Sequence, residues 1–426
     1  MNSEHLHDPA VAAACSFCDS KRLRIVMDFG QVALAGGFLK PAQFAAEKKY
    51  PMRLCFCEDC FAVQVIDKVD ADVLFNDYFY FSSSIRTLRE HFQQYAEEVT
   101  RRFLKPESAT VLEFGCNDGV LLRPLADQKI RTVIGVDPAK NVITSINDPR
   151  LELINDFFDE TVAERVVARF GKVDLVMANN VYAHIPDIQV ATRAVHKVLK
   201  DDGVFVFEVH YLGKVVAGMQ YDMVYHEHLY YYSLVSAIEH FKRYGMVVFD
   251  IKAVDIHAGS MRFYVCKKDS VHARKVSDAV IALEIEERSI GYDRFATFQR
   301  FSERVDEKKR ELLRVLEDLK AKGARIAGYG ASGRANTVIQ YCGIDHTHLD
   351  FMVDDAPAKA GFSTPGSHFE IFPSSVLAKD KPPDYLLVFA WSFFEEIRQR
   401  NARFLEAGGK MILPLPEVRV WPEAQA

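Results

Sequence analysis

The sequence predicts an α/β protein in three parts. They are an N-terminal zinc-binding domain, a central seven-stranded Rossmann-like domain and a C-terminal Rossmann-like domain. Three observations predict this. Two C-x-x-C pairs fall within the first 80 residues, apolar strands alternate with amphipathic helices over 85–270, and a second strand–Gly-rich turn–helix begins at "ARIAGYGASG". Residues 272–322, rich in Glu, Arg, Lys and spaced Leu/Ile/Val, read as one or two connecting amphipathic helices. The expected domains are therefore 1–80, 81–270, a helical connector 271–322 and 323–426.

Composition narrows the class of protein. The chain has 426 residues, 49% hydrophobic and 26% charged, which is ample for several cores. A net charge of -6 offers no basic field, so no nucleic-acid partner is expected. No apolar run reaches the roughly 18 residues a membrane helix needs, so no membrane partner is expected either. The opening "MNSEHLHDPAVAAAC" lacks the basic region of a signal peptide. A cytoplasmic setting is expected, with the eight cysteines reduced and open to metal.

Cys15-x-x-Cys18 and Cys57-x-x-Cys60 each present two thiolates from one tight turn. Together they make four sulfur ligands for a closed tetrahedral zinc site, which leaves no open position for chemistry. The gap between the pairs requires an insertion to loop out. Cys55, two residues from Cys57, is a competing ligand.

The first α/β unit, "TVLEFGCNDGVLLRPLA", runs from an apolar strand through Glu113, Gly115, Asn117, Asp118 and Gly119 into a helix. Its glycines let a ligand approach the backbone. The next strand, in "RTVIGVDPAKN", ends at Asp137, placed to take the hydroxyls of an adenosine ribose. The loop lacks G-x-G-x-x-G. Its acidic character suits a cationic sulfonium with an amino-acid tail, whereas a pyrophosphate favours bare amides. "LELINDFF" puts Asp156 where an adenine amino group is expected, and "KVDLVMANNVYAHIPD" carries Asn179 and His184 at its carboxyl end. "GVFVFEVHYL" is a fifth strand, and "MVVFDIKAVDI" with "SMRFYVCKK" reads as a closing antiparallel hairpin. This is the pattern of S-adenosylmethionine-dependent methyltransferases.

With these pieces in order, the chain resembles the zinc-containing sugar C-methyltransferases that act on nucleotide-linked keto-deoxysugars. The resemblance rests on the cysteine pairs, "YFYFSSSIRTLREHF", "LEFGCNDGVLL", "ANNVYAHIPD", "YDMVYHEHLYYYS", "HAGSMRFYV", "GYGASGRANTVIQYCGI" and "PPDYLLVFAWSFFEEI". It spans nearly the whole chain. Two departures stand out: Ser332-Gly333-Arg334 replaces a Pro-x-Lys-like turn, and Phe61 replaces a glycine after the second cysteine pair.

"YDMVYHEHLYYYS", residues 221–233, crowds two histidines, a glutamate, an aspartate and five tyrosines together. As a metal site it lacks a third ligand, and as a solvated loop it carries too many aromatics. Carbon methylation beside a ketone needs a base near neutral pKa and a donor for the enolate oxygen, roles that suit histidine and tyrosine. The resemblance makes His228 the base, with Tyr225, Glu227, His184 and Tyr78 or Tyr80 around it. A structural histidine is an equal reading for His184 and the favoured one for His226, and at least half of "LYYYS" is expected to pack.

The resemblance also places a nucleotide sugar, dTDP- or GDP-linked, between the central and C-terminal domains. Its contacts are expected from His257, Ser260, Arg262, Tyr329, Gly330, Ser332, Arg334, Asn336, Asp354 and Trp391. The chain is expected to act as a monomer or weak homo-oligomer. The competing readings are an O- or N-methyltransferase on a sugar or small molecule, and an inactive zinc-ribbon adaptor.

Overall fold

The computed structural model describes residues 14–70, 73–74, 82–84, 86–256, 258–378 and 381–423. Tyr78, Tyr80 and His257 lie outside them. Chain order begins with β1 (Leu23–Ala33), β2 (Lys49–Cys57) and β3 (Val63–Val65), a small antiparallel sheet. Cys15–Cys18 precedes β1, and Cys57–Cys60 joins β2 to β3.

The central strands are β4 (Thr110–Phe114), β5 (Thr132–Val136), β6 (Leu151–Ile154), β7 (Val173–Asn179) and β8 (Leu199–His210). β4 is buried along its whole length, as befits a parallel strand covered on both faces. A two-residue strand, β9 (Tyr230–Tyr231), follows, then β10 (Met246–Val254) and β11 (Ser260–Lys267). The sheet order is β10-β11-β8-β7-β4-β5-β6, with β11 antiparallel to both its neighbours. Strand order therefore reverses between β4 and β7, and the crevice at such a switch point takes the ligand.

β9 does not join this sheet. It pairs with β3, so the stretch that carries His228 closes the N-terminal sheet in the order β1-β2-β3-β9.

The helix Asp278–Ile290 and the 27-residue helix Phe295–Ala321 connect to the last part. There β12 (Ile326–Tyr329), β13 (Met352–Asp354), β14 (Ile371–Pro373), β15 (Tyr385–Val388), β16 (Lys410–Leu413) and β17 (Arg419–Trp421) form a sheet ordered β14-β13-β12-β15-β16-β17. All pairs are parallel except β16 with β17. Its switch point lies between β12 and β15.

The parts share cores. One apolar cluster runs from Val26, Met27 and Phe56 of the N-terminal sheet through Phe298 and Leu316 of the long helix to Ile339 and Leu387 of the C-terminal domain. Another joins Cys15 and Phe17 to Phe114, Tyr182 and Phe207 of the central domain. Among the described residues no helix is long and apolar enough to cross a membrane.

Candidate active site

Cys15, Cys18, Cys57 and Cys60 bring their sulfurs within 4.8 Å of one another. The Cys15–Cys60 and Cys18–Cys57 separations are 3.5 and 3.6 Å. Zinc–sulfur bonds of about 2.3 Å put tetrahedral sulfurs about 3.8 Å apart, so the four fit zinc. Cys55 stays outside the cluster, and burial pushes its thiol up to about 12. Asp19 and Phe61, each following a cysteine pair, take left-handed φ values of 61° and 63°. At Phe61 the strain that a glycine would avoid, of about 1–2 kcal/mol, is set against packing of its ring on Phe56.

At the β4/β7 switch point the residues expected to hold the cofactor come together. Gly115 has φ +65°, and a Cβ there would lie 2.4 Å from the Val181 side chain. Asp137 accepts backbone N–H bonds from Asn117 (2.8 Å) and Ala139 (2.9 Å), which shape the loop around it. Asn117 and Asp118 are roofed by Ser82 and Ser83, whose backbone amides donate to their side chains. Gly119 completes the turn with φ +77°. Asn179 donates to Glu113 Oε1 at 3.0 Å. Glu113 Oε2 and Asn179 Oδ1 are buried there without a hydrogen-bond partner. Burial, reinforced by Asp137 and Asp118 and offset by the Asn179 bond, pushes Glu113 up to about 8. Three neighbouring carboxyls, one of them with an unpartnered buried oxygen, suit the sulfonium and ammonium of S-adenosylmethionine. Asp156 lies past the end of β6, half-buried, and ion-pairs with Arg165 at 2.7 Å.

The 221–233 stretch lies over the carboxyl ends of β7 and β8. The His228 ring is 4.9 Å from His184, which follows β7, and 6.5 Å from His210, which ends β8. His228 Nδ1 is 2.9 Å from the Met223 carbonyl, and its Nε2 is 2.8 Å from the Tyr225 hydroxyl. A carbonyl only accepts. In the neutral ring Nδ1 therefore carries the hydrogen, and the Nε2 lone pair takes the Tyr225 O–H. Burial pushes His184 down to about 4, so it is neutral at neutral pH. Burial pushes Glu227 up to about 7, and its Oε1 lies 3.3 Å from where a Cβ on Gly36 would stand. His226 is buried against the Pro51 carbonyl at 3.0 Å. Tyr230, Tyr231 and Tyr232 are all buried.

The C-terminal domain reaches the same place. A Cβ on Gly333 would lie 3.5 Å from Ala35 and 3.8 Å from Tyr225, so all three parts of the chain meet at Tyr225. Ser332 caps the helix Gly333–Cys342, and Gly330 turns with φ +93° beneath Ala390. Tyr329 donates to Asp355, and Asp354 holds Lys359.

Five of the expected substrate contacts are held by other groups of the chain. Arg334 pairs with Asp222 at 2.8 Å, and the Trp391 indole N–H donates to the same carboxylate at 2.9 Å. Asn336 donates to the Ala35 carbonyl at 2.6 Å. Arg262 is 2% exposed, held by Glu208 at 2.9 Å and Glu98 at 3.1 Å. A guanidinium so covered and neutralised has no face left for a sugar or phosphate. Ser260 is buried and donates to the Ile256 carbonyl.

Sequence reasoning assigned no role to Asp222 or Gln64. Asp222 stood inside the quoted stretch, and Gln64 lies four residues past Cys60. Gly36, which had no assigned role either, is the glycine that stands against Glu227.

This sheet order, the acidic cradle and the four-sulfur knuckle define an S-adenosylmethionine-dependent methyltransferase with a structural zinc site. The matches in sequence agree. Residues 15–75 match a zinc binding domain family, 88–250 a Methyltransferase domain, and 255–416 the C-methyltransferase C-terminal domain. The C-methyltransferase NovU of Streptomyces niveus is 33% identical over 407 residues, 95% of this chain and 96% of that protein. The chain belongs to this C-methyltransferase family. A ubiquinone biosynthesis O-methyltransferase of Bartonella quintana is 30% identical over 100 residues, 23% of this chain and 40% of that protein. The magnesium protoporphyrin IX methyltransferase of Synechocystis PCC 6803 with bound SAH covers 42% of this chain and 83% of its own at 12% identity, with a TM-score of 0.33, too slight to bear on function.

Proposed function

We propose that the chain methylates C3 of a nucleotide-linked 4-keto-6-deoxysugar through an enolate, in branched deoxysugar biosynthesis. The observation that carries this reading is the Tyr225–His228 pair, with Nδ1 of His228 fixed on a carbonyl and Nε2 facing a phenol. In this reading the Tyr225 hydroxyl has one proton to give. When a ketone oxygen accepts it, the Nε2 lone pair is released toward the neighbouring C–H. His228 then takes the C3 proton as charge gathers on the oxygen that Tyr225 holds. Glu227 favours the imidazolium that forms, and His184, neutral, shapes the floor of the site. S-adenosylmethionine supplies an electrophilic methyl group to the nucleophilic carbon. The nucleotide end is assigned to the crevice at the carboxyl ends of β12 and β15, near Gly330 and Ser332.

The test is solvent deuterium exchange into the keto sugar without cofactor, followed by NMR. Exchange at C3 that is lost in His228→Asn supports the reading, and wild-type enzyme that methylates without exchange-competent chemistry sinks it. Turnover of His228→Asn should fall by about 10²–10⁴-fold with both ligands still bound.

A further inference from the structure

Gln64 is fully buried in β3. A buried amide must satisfy both of its ends. Its Nε2 donates to Cys15 Sγ at 3.0 Å, and its Oε1 accepts from the Ser16 N–H at 2.9 Å. The reverse orientation would set a carbonyl against a thiolate, so the charge on sulfur dictates which way the amide points.

The same residue lies in register with Tyr230 of β9, with Val63 opposite Tyr231. The Val65 N–H donates to the Leu229 carbonyl at 2.8 Å. The Tyr231 hydroxyl donates to the Met223 carbonyl at 3.0 Å, the carbonyl that also takes His228 Nδ1–H. Phe17, inside the first cysteine pair, sets its ring edge-on to Tyr230 at 5.0 Å. Hydrogen bonds joined by the β3 and β9 backbones thus link a zinc ligand, through Gln64 and Tyr231, to the carbonyl that sets the tautomer of His228.

We propose that Gln64 is a positioning residue that ties the zinc knuckle to the orientation of His228, so that metal occupancy governs the chemical step. The proposal rests on His228 being the base. Partners outside a metal's ligand shell that orient its ligands typically contribute about 10–100-fold in metal affinity or activity.

Gln64→Leu keeps the bulk and removes both bonds. Zinc release to a chromogenic chelator should speed up, with affinity lowered by about 10–100-fold. The kcat should drop by about tenfold or more while the KM for S-adenosylmethionine holds and unfolding stays cooperative. Unchanged zinc release overturns the link to metal. Faster release with unchanged kcat overturns the link to His228, and so does a matching rise in KM, which marks general loosening. Tyr231→Phe cuts the path beyond the zinc, so kcat should fall at unchanged zinc release; an unaltered kcat overturns the path. Near-normal turnover in His228→Asn would sink the base assignment, whereas zinc release from Gln64→Leu reports on the knuckle independently.

Discussion

Glu113 is a carboxyl that the fold holds protonated. Its buried state raises it to about 8, from an ordinary range near 4.5. A cationic ligand favours the ionised form. Below about pH 8, binding must therefore expel a proton, and affinity for S-adenosylmethionine should climb with pH and level off near 8. Calorimetry at pH 7 in buffers of different ionisation heat should show proton release approaching one per site. Glu113→Gln should bind with weaker pH dependence and little release. Glu227 adds a second titration, at about 7. If its carboxylate stabilises the imidazolium, kcat rises with pH through about 7, and Glu227→Gln flattens that limb. At this scale the acidic cradle was legible because Glu113, Gly115 and Asn117 are close in sequence and the carboxyl-end rule places Asp137. Asp222 and Gln64 were not, since their partners lie 112 and 49 residues away.

Among elements, the helix Gly333–Cys342 is the joint. Its Arg334 meets Asp222, which is fully buried, and its Asn336, Thr337 and Gln340 bond Ala35, Val224 and Ala33. Removing one partner of a buried pair leaves the other charge uncompensated, at a cost of about 3–5 kcal/mol. Arg334→Ala should accordingly lower the unfolding midpoint strongly in a denaturant titration. Arg334→Lys should fall between, because it keeps the charge but loses the fork over Asp222 and the stack 4.9 Å above Trp391. If Arg334→Ala unfolds like the wild type, the pair is not a structural tie and the residue returns to the substrate. β5, β6 and β7 could be read from sequence because each is an apolar run that ends at, or just before, an acidic or amide residue: Asp137, Asn155 and Asn179. β9 could not: two residues inside a polar, aromatic stretch show no period, and only pairing with β3 makes them a strand. For the same reason, the sequence shows Arg334 and Trp391 but not the distant Asp222 carboxylate that both of them meet.

Across the whole molecule, domains that look separable in sequence are not separable in their packing. Leu312 and Leu316 of the helix Phe295–Ala321 are buried in one cluster with Ile326, Ile339 and Leu349 on one side and with Phe56 and Val63 on the other. Phe298 packs on Phe56 with ring centroids 5.1 Å apart. The antiparallel bridge Leu39–Ser363 and the hydrogen bond between Glu47 and His368 fasten the N-terminal loop to the C-terminal domain. A chain ended after Lys322 would keep every zinc ligand and every residue of the acidic cradle. It would nevertheless strip the cover from an apolar face, and burying a single side chain such as Leu contributes about 1.5–3 kcal/mol. The N-terminal sheet, β9 included, would lose the apolar wall that the C-terminal domain supplies. Such a truncated chain should aggregate or show protease-sensitive N-terminal residues, with zinc lost to chelators faster than from the full chain. A soluble truncation that holds zinc and S-adenosylmethionine as the full chain does would show that the shared core is dispensable, and that the C-terminal domain serves the substrate alone.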